Sequence, residues 1–246
     1  MKILVCISRT PDTTSRVAFT DNNTRFDADK VQFIINPYDE WYALVRAVEL
    51  QESQGAAVTL LHVGGAEGDA ILRKALAIGG DRAIRIDAEP PDAYFVAVQI
   101  AAFLRQDPHD LVLVGKETID YNGSQVGGMI AGLLEWPFVS LASRLELAGS
   151  TAVLERDISG GKEEIEVPLP VVVSCAKGMA EQRIPNMRGI MAARTKPLTV
   201  RAAEPAEALA PMIAFELPKA KQGVKLISPD QPEELVRLLH VEAKVI

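Results

Sequence analysis

The sequence predicts an α/β fold: a mostly parallel, doubly wound sheet that carries an antiparallel β meander and an extended C-terminal arm. Three observations predict it. Apolar runs of strand length recur at KILVCI (2–7), AVTLLHV (57–63), LVLV (111–114) and PVVVSC (170–175), as strands buried on both faces require. Between the first three runs lie segments whose apolar residues recur every three or four positions, the period of a helix with one buried face. After Pro137 the pattern changes to apolar–polar alternation broken by Gly and Ser, the period of half-buried antiparallel strands.

Residues 2–7 form a central strand, and SRTPDTTSR follows as a polar loop with a Pro-Asp turn signal. VAFT-DNNT-RFDA, within residues 17–34, reads as a hairpin with Asn and Asp at its tip. Asn36-Pro37 breaks the chain ahead of a helix from about Asp39 to Gln54, with Leu44, Ala47, Val48 and Gln51 on one side and Gly55 as its stop. The strand 57–63 ends in Gly64-Gly65, and a helix from about Glu67 to Ile78 closes at Gly79-Gly80. Alternation at Ala83–Ile86 predicts another strand, and residues 92–105 a helix through Ala93, Val96, Ala97, Ile100 and Leu104. Strand Leu111–Val114 leads into a helix from Ser124, with Val126, Met129, Ile130, Leu133 and Leu134 on one face. Strand and helix thus alternate over the first 135 residues, the order of parallel strands joined by crossover helices. Residues 141–147, 151–157 and 163–167 make the meander, with turns at Gly149-Ser150 and Ser159-Gly160-Gly161. The run 170–175 is expected to rejoin the main sheet, and residues 176–192 read as a loop rich in Gly, Pro and Met. From about Thr199 to Lys221 the chain is rich in Ala, Glu and Pro and reads as an arm lying on something else, or as a mobile linker. A short helix, EELVRLLH, begins at Pro232 with Asp230 or Gln231 as its cap. The expected division is an α/β domain over 1–198 and an arm with its helix over 199–246.

Composition excludes several classes. A net charge of −7, with no basic tract and no interleaved basic-aromatic patch, argues against nucleic acid as a partner. Cys6 and Cys175 are far apart in sequence, form no CxxC, and read as small core residues. His62, His109 and His240 stand alone, without metal-ligand spacing. Met1-Lys2 leads straight into a strand and no apolar run reaches membrane-spanning length, so a cytoplasmic chain without membrane insertion is expected. No GxGxxG follows a strand, and GxxxxGK[ST] and GxSxG are absent, as is any conspicuous acid–base constellation.

The most informative stretch is GKETIDYNGSQVGGMIAGLLEWP, Gly115 to Pro137. Strand, Gly-rich loop and helix start together present free backbone N–H groups, at the end of a helix whose dipole favours negative charge. Ser124 is the expected N-cap, and Gly127 and Gly128 would let a ligand approach the first turn. The same pattern is compatible with an ordinary strand-to-helix turn. In a doubly wound sheet ligands bind beyond the carboxyl ends of the strands, where the loops Cys6–Asp12, Val63–Gly68 and Gly115–Ser124 are expected to converge.

Several blocks in order resemble the β subunit of electron transfer flavoproteins: KILVCISRTPD, INPYDE, ALAIGGDRAIRI, LVGKETIDYNGSQVGGMIAGLLEWPFVSLAS, ERDISGGKEEIEVPLPVVVSC and RIPNMRGIMAARTKPL. The resemblance covers nearly the whole chain. It implies a non-catalytic electron-carrier subunit, paired with a larger α subunit in a heterodimer that holds one FAD, mostly in α. Electrons would come from flavin dehydrogenases of the acyl-CoA dehydrogenase type and pass to a quinone oxidoreductase or another acceptor. The β subunit would bury a structural AMP in its nucleotide-binding fold. By the resemblance, the nucleotide site comprises Cys6, Asn36, Pro37, Tyr38, Asp39, Val63, Gly115, Lys116, Glu117, Thr118, Ile119, Asp120, Tyr121, Asn122, Gly123, Ser124, Gln125 and Val126. Cys6 and Val63 would pack on adenine, and the backbone around Asn122–Val126 would hold the phosphate. Asp120 would orient its loop or accept from a ribose hydroxyl. Gln125 either contacts the ligand or only occupies the first helical turn. Tyr38 either approaches the isoalloxazine of the α-bound FAD or packs against the start of its own helix. Arg183, Ile184, Pro185, Asn186, Met187, Arg188, Gly189, Ile190, Met191 and Ala192 match the recognition loop that anchors dehydrogenases, with Met187 at the apolar anchor position.

The chain departs from the family pattern in places. Ala180-Glu181-Gln182-Arg183-Ile184 replaces the usual Asn-Glu-Pro-Arg-Tyr, and the lysine cluster after the recognition loop is thinned to Ala192-Ala193-Arg194-Thr195-Lys196. Gln125-Val126-Gly127 stands where AMP-binding members often have Gln-Thr-Gly, and Gln-Val-Gly also occurs in bifurcating members, which carry a second FAD in the AMP position and take hydride from NADH. AMP is the expected occupant, a second FAD its alternative. A free-standing ATP-binding sensor of the same architecture is the third reading.

Overall fold

A computed structural model describes residues 1–220 and 223–246. The chain divides into one large unit, Met1–Ala214, and a small one, Phe215–Ile246. In the large unit the apolar runs become the middle of a nine-stranded sheet. Its strands are β1 (Lys2–Cys6), β6 (Ala57–Val63), β7 (Arg82–Asp87), β8 (Leu111–Gly115), β9 (Phe138–Ala148), β10 (Thr151–Ile158), β11 (Gly161–Pro168), β12 (Val171–Cys175) and β13 (Leu198–Ala202). The spatial order is β11-β10-β9-β12-β8-β1-β6-β7-β13. From β9 to β13 in that order every neighbouring pair is parallel, and β10 and β11 extend the sheet as an antiparallel meander. Short antiparallel pairs, β2 (Arg9–Pro11) with β5 (Phe33–Ile35) and β3 (Phe19–Thr20) with β4 (Arg25–Phe26), fold the segment after β1.

Alternate residues of each central strand face opposite layers. Ile3 and Val5 pack with α1 (Asp39–Gln54) and α2 (Asp69–Ile78). Leu4 and Cys6 pack with α3 (Ala93–Gln106) and α4 (Val126–Leu134). The sheet is thus covered on both faces, and its strands need no polar side. Because β1 lies between β6 and β8, the chain winds outward in both directions from β1, and the crevice at the carboxyl ends of β1 and β8 is the topological switch point.

Three elements differ from expectation. Residues 187–193, within the expected loop, form helix α5 (Met187–Ala193), capped by Asn186, whose Oδ1 accepts from the Gly189 N–H at 2.8 Å. The expected arm begins instead as edge strand β13, parallel to β7 in the register Leu198↔Ala83 to Ala202↔Asp87. Strand β9 starts at Phe138, before the expected meander, and its first half pairs parallel with β12. Beyond β13 the chain stays attached to α3. The buried Gln99 amide donates to the Glu204 carbonyl at 2.9 Å and accepts from its N–H at 2.8 Å. Asp92 caps α3 through the Phe95 N–H and also accepts from the N–H groups of Leu209 and Ala210. The far end of the expected arm, Lys221, lies outside the described residues.

The small unit holds α6 (Pro232–Arg237) and a π-helical turn, Leu238–Glu242. Gln231 is the N-cap residue, one of the two expected, and Pro232 opens the first turn. Among the described residues no helix is long and apolar enough to cross a membrane.

Replacing Gln99 by Ala strands both backbone groups of Glu204. The expected cost is about 1–3 kcal/mol, read as faster hydrogen exchange at Glu204 and along β13 while β1 and β8 stay protected.

Candidate functional site

The crevice at the switch point is built from three chain segments that meet because each buries a polar group on another. Asn36 is fully buried. Its Nδ2 donates to the Glu117 carbonyl at 2.8 Å, its Oδ1 accepts from the Ile119 N–H at 3.0 Å, and its own N–H reaches the Ser8 carbonyl. Asn36 therefore ties the segment before α1 to the loop after β8 through its side-chain amide and to the loop after β1 through its backbone. Gly115 ends β8 directly on the first turn of α1. A Cβ there would stand 2.7 Å from Glu40 Cγ and 3.2 Å from the Glu40 backbone nitrogen, so only glycine fits this approach. The turn itself is unusual: Tyr38, ahead of α1, has φ 65°, a left-handed value that few non-glycine residues adopt.

The loop from Lys116 to Gln125 is held by its own side chains. Lys116 Nζ meets Glu117 Oε1 at 2.9 Å, and Ser124 Oγ donates to Glu117 Oε2 at 2.8 Å. Both contacts hold the Glu117 carboxyl below the usual carboxylate range. Asp120 Oδ1 accepts from the Tyr121 N–H at 3.0 Å, and the Asn122 N–H reaches back to the Thr118 carbonyl. Asn122 and Ser124 have φ of 49° and 51°. Ser124 is therefore not the N-cap. Its hydroxyl is engaged by Glu117 and its backbone is left-handed, so α4 starts at Val126, with Gln125 as N-cap and no side-chain cap bond. The first N–H groups of α4 thus lack a side-chain acceptor, as an anion site at a helix start needs. Gly127 has a packing role: a Cβ would come within 2.9 Å of Val114 and 3.0 Å of the Phe138 ring.

The crevice brings together Asn36 to Asp39 and Gly115 to Val126. Cys6, at the end of β1, and Val63, one strand further, are buried in the core layer beneath α3 and α4. Burial, with the charge of Glu40, pushes the Cys6 thiol up, so it stays protonated and unreactive. Tyr38 and Tyr121 are exposed at the rim, 65% and 64% respectively. One residue absent from the expected set sits at the centre. Glu40 is 4% exposed, and its Oε2 accepts from the Ser8 N–H at 2.6 Å. In sequence it reads as one more acid in a helix first turn, complementing the dipole. Among the described residues no cluster of His, Cys, Asp and Glu could hold a metal ion. A separate hollow of about 460 Å³, between Arg105 and Trp136, lies at the C-terminal ends of α3 and α4, the opposite end of the sheet.

The segment Arg183–Ala192 is anchored apart from the crevice. Trp41 Nε1 donates to the Arg183 carbonyl at 3.1 Å, and the Arg183 guanidinium pairs with Glu52 at 2.8 Å, so the start of the segment is fixed to α1. Helix α5 presses on the end of α2, where a Cβ on Gly189 would stand 2.2 Å from the Ala77 carbonyl oxygen. Arg73 donates to the carbonyls of Ala193 and Lys196, and Lys196 Nζ to that of Leu76. These bonds occupy one side of α5. Ile184, Met187 and Met191 are left exposed, at 85%, 73% and 55%.

The class this defines is a doubly wound α/β protein whose switch-point loop ends at an uncapped helix start, with a separate helix that leaves apolar side chains exposed. Comparison with known proteins gives the family. A sequence model of the electron transfer flavoprotein domain matches residues 24–206. The chain is 36% identical to the electron transfer flavoprotein subunit beta of Bacillus subtilis, over the full length of both. It is 36% identical to that of Syntrophomonas wolfei over 95% of this chain and 92% of the relative. Against the human subunit the figure is 33%, over 81% and 80%. The chain belongs to the electron transfer flavoprotein family and aligns with its β subunits.

Asn36→Ala removes the amide that joins the crevice. The carbonyl of Glu117 and the N–H of Ile119 lose their partner at an expected cost of about 1–3 kcal/mol, measured by chemical denaturation and by faster exchange of the Ile119 amide.

Proposed function

We propose that this chain is the β subunit of a heterodimeric electron transfer flavoprotein, a carrier rather than an enzyme in its own right. A structural AMP occupies the crevice at the ends of β1 and β8, and an α-subunit partner holds most of the FAD. The observation that carries the reading is the crevice: a pinned, mostly polar loop ending at an uncapped helix start, in a chain that aligns end to end with β subunits. The start of α4 accepts the phosphate. Cys6 and Val63 give an apolar floor for adenine, and Asp120, exposed beside the loop, accepts from a ribose hydroxyl. FAD supplies the one- and two-electron chemistry when bound. This chain orients it and shields it from water, with Tyr38 at the rim facing the isoalloxazine. The stretch beyond Ala210, with its helix, packs on the α subunit, while residues 198–210 stay on this chain's own sheet and α3. Exposure of Ile213, Val224, Leu226 and Val245 supports this, since apolar side chains at such density are commonly covered by a partner.

The exposed side of α5 is the docking element for flavin dehydrogenases of the acyl-CoA dehydrogenase type, with Met187 as anchor. A flexible thioether on a helix fixed from behind fits an irregular apolar pocket. Electrons leave to a quinone oxidoreductase or another acceptor. Val126 offers no hydroxyl to a phosphate and favours a second reading, in which a second FAD replaces AMP and takes hydride from NADH.

The deciding measurement is the nucleotide content of the complex purified with its α partner. One FAD and one AMP per heterodimer are expected. Two FAD and no AMP would replace the carrier reading with the bifurcating one, and ATP without flavin would sink both. Met187→Ala is expected to lower kcat/KM for reduction by an acyl-CoA dehydrogenase about tenfold, the loss of about 1.4 kcal/mol of anchoring. FAD and AMP contents should not change. An unaltered rate removes Met187 from the docking element.

A further inference from the structure

Among the described residues Glu40 is the one buried carboxyl of the crevice, the others lying nearer its rim. From the loop after β1 it receives the Ser8 N–H at 2.6 Å, and at the end of β1 it neighbours the Cys6 thiol. From β8 it is covered by Gly115, whose Cα carries no side chain because Glu40 Cγ occupies the space. From the loop the charge of Asp120 faces it, and from its own helix that of Asp39. Lys116, the cation on that loop, pairs with Glu117 at 2.9 Å and its charge also reaches Asp39. A carboxylate here would add a third negative charge to a pair of acids, in the crevice assigned to an anionic nucleotide. A neutral acid keeps the same packing without that repulsion.

We propose that Glu40 is a positioning residue of the nucleotide crevice whose proton decides retention: neutral, it joins the β1 loop, α1 and the loop from Gly115; ionised, it drives them and the phosphate apart. The inference rests on reading the crevice as a nucleotide site. Burial pushes the Glu40 carboxyl up to about 8. Asp120 and Asp39 add to the rise, and hydrogen bonds from Ser8 oppose it. The sign follows from linkage. The unfolded chain ionises this acid in the ordinary carboxylate range and the folded chain does not. Stability therefore falls as pH rises from that range to about 8, and levels above it. Retention of an anionic nucleotide follows a later course: constant below about pH 8, with the dissociation constant rising up to about tenfold for each pH unit above, the slope of a single proton.

The test uses the complex with its α partner, loaded with AMP and dialysed between about pH 6 and about pH 9.5, the range that brackets a one-proton step. AMP is quantified after denaturation, with FAD as internal control. Wild type should lose AMP above about pH 8 while FAD stays constant. Glu40→Gln, which cannot ionise, should give a flat profile. Should that variant fail to fold, Asp120→Asn serves: removing the charge that faces Glu40 should move the release midpoint to lower pH. In the wild-type complex, the infrared carbonyl band of a protonated carboxyl should disappear over the same interval. A flat wild-type profile, or the same fall in Glu40→Gln as in wild type, overturns the proposal. Absence of AMP at every pH overturns the nucleotide reading itself, an outcome distinct from AMP that binds without pH dependence.

Discussion

A fully buried primary amide must find its hydrogen bonds inside the protein or cost several kcal/mol, and the crevice of this protein is organised around one such amide. Asn36 satisfies its donor and its acceptor on two residues of a single loop, Glu117 and Ile119, and its backbone on the loop after β1. Those bonds fix where the chain leaves β8. They also bring Gly115 onto the first turn of α1, which in turn encloses Glu40. The doubly wound sheet brings these strands' ends to one place, and the amide determines how closely their loops approach.

Helix α1 reaches both the crevice and the segment ahead of α5. Its first turn supplies Asp39 and Glu40 to the crevice, and the next residue, Trp41, holds the carbonyl of Arg183. Near its end Glu52 holds the Arg183 guanidinium. The helix is buried along Ala43, Leu44, Ala47 and Leu50, so its position is set by the core and not by either site. Helix α1 thus contributes to the crevice and holds Arg183, while α5 itself is seated on α2.

Much of this was legible in the sequence. The central strands announced themselves because burial on both faces demands unbroken apolar runs, and the crossover helices because they have one buried face. The crevice loops followed from topology, since strand ends in a doubly wound sheet converge. What escaped had weak local signals. Leu198–Ala202 is a short edge strand with a half-exposed pattern, and its neighbours rich in Pro and Ala resemble a linker. Helix α5 spans seven residues, includes a glycine and follows a proline, so its stability comes from α2 and the Arg73 cap rather than from propensity. Ser124 looked like a cap because serine usually is one. A distant partner, Glu117, claimed its hydroxyl, and no local pattern encodes that. Glu40 was hidden for the opposite reason: an acid in a first turn has so ordinary an explanation that its burial could only be seen in three dimensions.

The C-terminal stretch carries a consequence for the cell that makes this chain. Ile213 is 86% exposed, Val224 81% and Leu226 90%, side chains that folded proteins seldom leave in water in such number. Until something covers them, they are the feature by which chaperones and proteases recognise unfinished proteins. A chain that leaves them uncovered is therefore open to early removal, so its survival depends on what covers this stretch.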